Sequence, residues 1–384
     1  MQRFVPYLGV AAALLLGGLF IAFSGTVTVE RSSSTSTDTA SSTLAVIPLI
    51  TFPSIDLPNL EPKEKKIAST TPPAAPAPKS VKAATSTAVA AAPVVTVPAP
   101  VAPQASSGNI GLDATATALR NALVNILCYV PLSSGLHSIS GSGIFIDPKG
   151  VILTNAHIAQ YFLLADRGAS CTIRSGSPAA DRYKAALMYL SPAWLRANAT
   201  AITEAQPSGT GEYDFALLAV TGSATSAALP SAFSALSLAT RPPVANTPIV
   251  IATYGAQFLE SSQVLSSLFP TIVFGSVKEV FTFMTNTIDV LALGGSVAAQ
   301  EGSSGGGVAD ASGALVGTIT TSTVEGATAT RSLDAITASY IRAEYANETG
   351  GTLDLLLAKD PPTAAADFAS QIPALEAILT AQLP

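Results

Sequence analysis

From residue 109 onward the chain alternates short apolar runs with glycine and polar turns, the pattern of a protein built from many β-strands. A helix-compatible stretch, LDATATALRNAL at residues 112–123, comes first. Strand candidates VNILCYV, SGIFIDP, VILTNA, SCTIRS, YKAALMYL and DFALLAV follow, all before residue 221. After the linker-like GSATSAALPSAFSALSLATRPPVAN, a second set runs PIVIATYG, TIVFGSVKEVF, IDVLALG, GVADA, ALVGTIT and ATRSLDAIT. Two groups of about six short strands predict an all-β fold of two packed six-stranded antiparallel barrels. The first barrel is expected over about residues 120–221 and the second over about 247–345. Residues 346–384 read as a tail with one short amphipathic helix in TAAADFASQIPALEAILTAQL.

The pattern before residue 109 is different. Residues 4–23, FVPYLGVAAALLLGGLFIAF, form an uncharged stretch of 20 residues behind Arg3, long enough to cross a bilayer. Residues 1–24 are read as a transmembrane anchor, the alternative being a secretory signal cleaved at the small residues Ala22 and Ser24. Residues 25–108 are dominated by Ser, Thr, Ala and Pro, which leaves little to bury and predicts a disordered stalk. Its one apolar patch is AVIPLITFPSI at residues 45–55. The expected location is the cell membrane, single-pass, with residues 109–345 outside the cytoplasm, or secretion if the first segment is removed.

Charge and cysteine usage narrow the function classes. The formal net charge is -6 and no basic block occurs, which argues against a nucleic-acid partner. His137 and His157 stand far apart and Cys128 and Cys171 are 43 positions from each other, so no metal site is expected. No glycine is followed by lysine, which excludes a phosphate-cradling Walker loop, and no cofactor is expected.

Three loops carry chemistry. Cleaving a peptide bond with a hydroxyl needs a base for its proton, a carboxylate to fix that base, and backbone N–H groups aimed at the developing oxyanion. VILTNAHIAQ places His157 just beyond an apolar strand, GEYDFALLAV places Asp214 at the start of another, and GSSGGG places Ser304 among glycines. His137, in SGLHSIS, reads as a structural histidine. Gly302-Ser303-Ser304-Gly305-Gly306 also fits the G-x-S-x-G elbow of α/β-hydrolases, but there the histidine follows the serine, and none occurs after His157.

The three segments resemble the His, Asp and Ser motifs of the chymotrypsin-fold serine proteases, in the version carried by Deg-type envelope proteases. Gly141-Ser142-Gly143, an apolar strand and Thr154-Asn155-Ala156-His157 match the first motif; Asp214-Phe215-Ala216-Leu217-Leu218 is similar to the second. The order His, Asp, Ser, with steps of 57 and 90 residues, makes the set specific. The resemblance covers about residues 120–345 and implies Ser304 as nucleophile, His157 as base, Asp214 as its orienting carboxylate, and the N–H groups of Gly302 and Ser304 as the oxyanion hole. Substrates are then polypeptides, cleaved through an acyl-enzyme.

Departures from the family carry expectations of their own. Ser303 stands where digestive proteases hold the aspartate of their zymogen switch, so activation by amino-terminal insertion is not expected. Gly307 replaces a proline and is expected to loosen the loop. Ala298, by offset from Ser304, falls at the base of the primary substrate pocket and implies small or medium apolar side chains there. Cys128 and Cys171 lie on strands that neighbour each other in the family's barrel, which implies a disulfide; two buried thiols are the alternative. The tail is expected to be too short for the peptide-binding PDZ domain, of roughly 90 residues, that many Deg relatives carry. A competing class is a catalytically silent module of the same fold that binds peptides or partner proteins.

Overall fold

The computed structural model describes residues 50–51, 109–204, 208–283, 286–322 and 326–383. The expected membrane segment, and the expected stalk apart from Ile50 and Thr51, lie outside them. Among the described residues no helix is long and apolar enough to cross a membrane. Ile50–Thr51 pairs antiparallel with Ser208–Gly209.

Helix α1 (Asn109–Ala122) buries Leu112, Leu119 and Ala122, which the helical period brings to one face. It leads directly into the first barrel yet also leans on the second sheet, where Thr115 Oγ1 donates to Asp310 O at 3.1 Å. Strands β1 (Leu123–Tyr129), β2 (Ile139–Asp147), β3 (Val151–Thr154), β4 (Ser170–Ser175), β5 (Ala180–Leu190) and β6 (Ala216–Ser223) follow. They close into an antiparallel barrel in the order β1-β2-β3-β6-β5-β4. Closure leaves the barrel no open sheet edge. Cys128 and Cys171 are register partners across the β1/β4 seam and are joined by a disulfide.

The second group gives β7 (Pro248–Thr253), β8 (Thr271–Ser276), β9 (Glu279–Phe281), β10 (Val290–Ala292), β11 (Gly307–Asp310), β12 (Leu315–Ser322) and β13 (Leu333–Thr337). This corrects the expectation of a second six-stranded barrel: among the described residues the sheet has seven strands in the order β8-β7-β11-β12-β13-β10-β9, and no ladder closes it. The single run TIVFGSVKEVF is two strands because the chain changes partners in its middle. Val277 N–H donates to Thr247 O at 3.0 Å, and the next residue, Lys278, donates to Ala292 O at 2.8 Å. Buried Val277 pins that corner. The two edge strands are therefore consecutive, and the chain itself spans the gap between them.

Short helices α2 (Ala156–Ala159), α3 (Pro192–Asn198) and α4 (Ser261–Ser266) sit in the connections, and α5 (Ala338–Thr349) follows β13. Beyond α5 the chain forms α6 (Leu353–Ala358), α7 (Pro361–Ala369) and α8 (Ile372–Thr380), where one short helix was expected. Pro373 stands in the first turn of α8, where its missing N–H costs nothing, and a new helix begins there instead of α7 continuing. Ala365, Phe368, Leu375 and Leu379 are buried in the same apolar cluster as the first barrel. The Glu348 carboxylate on α5 accepts from Ala193 N–H at 2.9 Å, from Ser191 Oγ at 3.1 Å and from the Tyr189 hydroxyl, tying the helix to β5 and α3.

Candidate active site

Strand β3 ends at Thr154, and Asn155, in extended conformation, starts the one-turn helix α2 that carries His157. Asp214 is set by a tighter device. Tyr213 has a φ of 57°, costly for a residue with a side chain, and Phe215 N–H donates back to Tyr213 O at 2.8 Å, a turn centred on Asp214. The turn drives the carboxylate inward, where it is fully buried. Its Oδ1 accepts from His157 N–H at 3.0 Å, and its Oδ2 lies 2.7 Å from His157 Nδ1 and accepts from Thr320 Oγ1 at 2.6 Å. Asn155 Nδ2 adds a bond to Asp214 O at 2.9 Å. A buried carboxylate with this many donors is held in one orientation, and it holds the imidazole in turn. Thr320, on β12, was not singled out from the sequence; nothing in GTITTST separates it from its threonine neighbours.

The segment with Ser304 docks against the first barrel. Ser142 on β2 donates through its N–H to Ser304 O at 2.7 Å and through its hydroxyl to Gly302 O at 2.8 Å. The same hydroxyl accepts from Tyr254 N–H at 2.9 Å, and Thr154 Oγ1 donates to Ser142 O at 2.8 Å. On the other side Gly305 N–H donates to Ile319 O at 2.8 Å, next to Thr320. Ser304 is thereby brought to the strand ends that carry His157 and Thr320. Gly302 and Gly305 have φ values of 87° and 84°, a region that favours glycine.

Peptide orientation follows from these anchors. Glu301 O accepts from Ala256 N–H at 2.7 Å, and Ser303 O accepts from Gly306 N–H at 2.9 Å. Because each peptide unit is planar and trans, the N–H of Gly302 points away from Ala256 and the N–H of Ser304 away from Gly306. The loop bearing Ala256 is itself fastened to the first barrel. Tyr254 Oη donates to Gly176 O at 2.6 Å, and buried Arg174 donates to Val264 O at 3.0 Å and Leu265 O at 2.7 Å.

Ser303 is buried, and its hydroxyl has no hydrogen-bond partner among the described residues. Gly307 departs from its expected effect. It starts β11, paired with Ala252 and Thr318, and a Cβ there would fall 2.7 Å from Ile144 Cγ1 and 2.9 Å from Leu119 Cδ1. The missing side chain lets the first barrel and α1 close on the second sheet, so the position is tight where looseness was expected. Ala298 is fully buried in the core of the second sheet, in one cluster with Leu291 and Leu333. Arg331 fastens the segment after it, donating to Ala299 O at 2.8 Å and Gln257 Oε1 at 2.6 Å.

Two carboxyls near the site are perturbed. Burial pushes Glu301 up to about 7, with the nearby Arg331 opposing, and burial alone pushes Asp334 up to about 7. For Asp334 the unfolded chain ionises near its ordinary 3.8 while the folded chain keeps its proton to about 7. The associated stability is fully present below pH 3.8 and is lost as pH rises through about 7. Thermal melts at acidic and mildly alkaline pH are expected to show a smaller loss of Tm for Asp334→Asn than for the parent. Equal losses would mean that Asp334 is ionised in the folded state.

A closed barrel beside a sheet whose ends the chain bridges, with a histidine, a carboxylate and a serine converging between them, is consistent with the chymotrypsin fold. Residues 141–317 match the family model of the trypsin-like peptidase domain, and the chain is a serine-type peptidase. No curated protein matches it. Similar solved structures include the Rv3671c protease from M. tuberculosis in its active form, at 19% identity and a TM-score of 0.40, over 69% of this chain and 96% of that one. The inactive form of that protease gives 17% and 0.39 over 63% and 96%. The serine endoprotease from Yersinia pestis gives 18% and 0.39 over 62% and 67%.

Proposed function

We propose that the chain is a membrane-tethered, extracytoplasmic serine endopeptidase of the Deg-type subgroup, working through Ser304, His157 and Asp214. The observation that carries this reading is the buried relay in which Asp214 bonds His157 Nδ1 at 2.7 Å and is braced by Thr320 at 2.6 Å. With Nδ1–H donating to the carboxylate, Nε2 is left as the basic nitrogen. Ser304 Oγ attacks the scissile carbonyl and passes its proton to Nε2, while Asp214 stabilises the imidazolium. The oxyanion is received by the N–H groups of Gly302 and Ser304, whose peptide units are pre-oriented by Ala256 and Gly306. Collapse expels the amine, which takes the proton from His157, and leaves an ester on Ser304 that water then hydrolyses. The offset of Ala298 from Ser304, which in the resembling family falls at the base of the primary pocket, is the one support for small or medium apolar residues next to the scissile bond; Ala298 itself is buried in the core. The uncharged stretch at residues 4–23 supports the tether.

A membrane-impermeant fluorophosphonate probe tests both halves. Applied to sealed cells or spheroplasts making the full chain, it is expected to label Ser304 and to leave Ser304→Ala unlabelled. No labelling of the folded protein even after lysis would sink the hydrolase assignment. Labelling that persists in the alanine variant would move the nucleophile, and labelling only after lysis would place the domain inside the cytoplasm.

A further inference from the structure

We propose that Ile50 and Thr51 are an internal competitor of the substrate: docked as a strand on Ser208–Gly209, they occupy space that a long polypeptide needs in order to reach Ser304. The proposal rests on the peptidase reading above and adds a regulation to the same site. Ile50 is the register partner of Gly209 and Thr51 of Ser208, and Gly209 is buried. From Gly209 the chain runs to Gly211, whose carbonyl accepts from Asp214 N–H at 3.2 Å. Gly211 abuts Thr320: a Cβ there would fall 2.8 Å from Thr320 Cγ2 and 3.2 Å from Oγ1, the hydroxyl that is bonded to Asp214. An antiparallel partner lies about 5 Å away and two extended residues cover about 7 Å, so the backbone of Ile50 stands within roughly 12 Å of Gly211 and hence beside the relay.

The docked strand also lies beside β12. The ladder of β12 with β11 ends at Thr318 and Gly307, and the bonds of Gly305 and Gly306 to Ile319 come next. Past Thr320, β12 continues to Ser322 without β11. Ile50–Thr51 therefore borders both segments that flank Thr320, the one that carries Asp214 and the one that leads away from Ser304. A polypeptide is cut when one of its carbonyls is delivered to Ser304 while the neighbouring residues lie extended, each adding about 3.3 Å. About three or four such residues reach the position that Ile50–Thr51 holds, and a backbone edge that is already paired has no free groups to offer a second strand. A substrate that ends sooner is not obstructed.

The sequence around the two residues suits a strand that is held weakly. AVIPLITFPSI, at residues 45–55, is the one apolar patch in a stretch otherwise dominated by Ser, Thr, Ala and Pro. Pro48 and Pro53 bracket Leu49-Ile50-Thr51-Phe52, and because proline cannot donate to a ladder, pairing is confined to the residues between them. Ile, Thr and Phe are strand formers. One or two ladder bonds at their usual net worth bias the docked state by roughly tenfold, and the covalent link keeps the segment at high effective concentration. A hold of that size gives way to substrate at high concentration, so the check is competitive and graded.

Ile50→Pro and Thr51→Pro, singly and together in the full chain, remove the ladder donors while leaving residues 109–384 unaltered. Two peptide substrates are compared, with about two and about six residues before the scissile bond. In the double variant KM for the long peptide is expected to fall roughly tenfold with kcat within about twofold, while kcat/KM for the short peptide and the rate of fluorophosphonate labelling stay within about twofold of the parent. A fluorescein-labelled peptide of residues 44–56 is expected to bind the double variant more tightly than the parent and to raise its KM for the long peptide. An unchanged KM for the long peptide, an equal gain for both substrates, or equal binding of the labelled peptide to parent and variant overturns the proposal. Fluorophosphonate separates the two levels: a labelled parent with no response to the prolines removes the regulation alone, and an unlabelled, inactive parent removes the peptidase reading with it.

Discussion

Asparagine in place of Asp214 is expected to lower kcat about ten-thousandfold and leave KM within about threefold, the scale of the same change in the Ser-His-Asp template. The reason is specific to how this carboxylate is held. Its Oδ1 accepts from the backbone N–H of His157 at 3.0 Å, a donor that cannot rearrange, so the asparagine oxygen must occupy that place. The amide nitrogen then lands where Oδ2 was, facing His157 Nδ1 at 2.7 Å and Thr320 Oγ1 at 2.6 Å. An amide N–H facing Nδ1 turns that nitrogen into an acceptor and moves the ring proton to Nε2. A protonated Nε2 cannot take the proton of Ser304. Steady-state kinetics on any cleaved peptide checks this, with unfolding monitored in parallel. A loss below tenfold in a folded variant would remove Asp214 from the chemistry.

Ser142→Ala is expected to lower kcat about a hundredfold to a thousandfold, the usual loss when one oxyanion donor is misplaced, with little change in KM. The bond from Ser142 N–H to Ser304 O at 2.7 Å survives the substitution. What disappears is the hydroxyl that receives Tyr254 N–H at 2.9 Å and donates to Gly302 O at 2.8 Å. Two buried backbone groups are then orphaned, at about 1 to 3 kcal/mol each. The cheapest remedy is rotation of the peptide after Gly302, which a glycine makes accessible, and because that peptide joins the two units that carry the hole's N–H groups, its rotation shifts both. A hole disturbed in this way slows fluorophosphonate labelling as well as turnover, while Ser142→Thr, which keeps a hydroxyl, recovers part of both. A loss below threefold with unchanged labelling would mean that the bonds from Ala256 and Gly306 hold the loop by themselves.

Much of this arrangement was legible in the chain because it is local. Each barrel-one strand coincides with an apolar run, and His157 and Asp214 sit at strand ends that the runs themselves mark. The change of partners at Val277 was not legible, since TIVFGSVKEVF is uniformly strand-forming and only the positions of Thr247 and Ala292 divide it. Thr320 was hidden among threonines of equal propensity. Gly307 looked loose because a glycine in a sequence carries no trace of the Ile144 side chain packed against it. Asp334 is one charged residue in a strand; that its carboxyl is buried is a property of its neighbours. What sequence pattern conveys is periodicity and turn chemistry, and what it misses is contact between residues far apart in the chain.

The latch at Ser142 illustrates such contact. The bond from its hydroxyl to Gly302 spans 160 positions and crosses from one half of the domain to the other. A chain in which only one half has formed holds His157 and Asp214 without Ser304, or Ser304 without its base. If the proposed triad carries the activity, a partly folded polypeptide is consequently harmless to itself and its neighbours. On the proposed function, hydrolytic power then depends on the docking of the two halves that this bond joins.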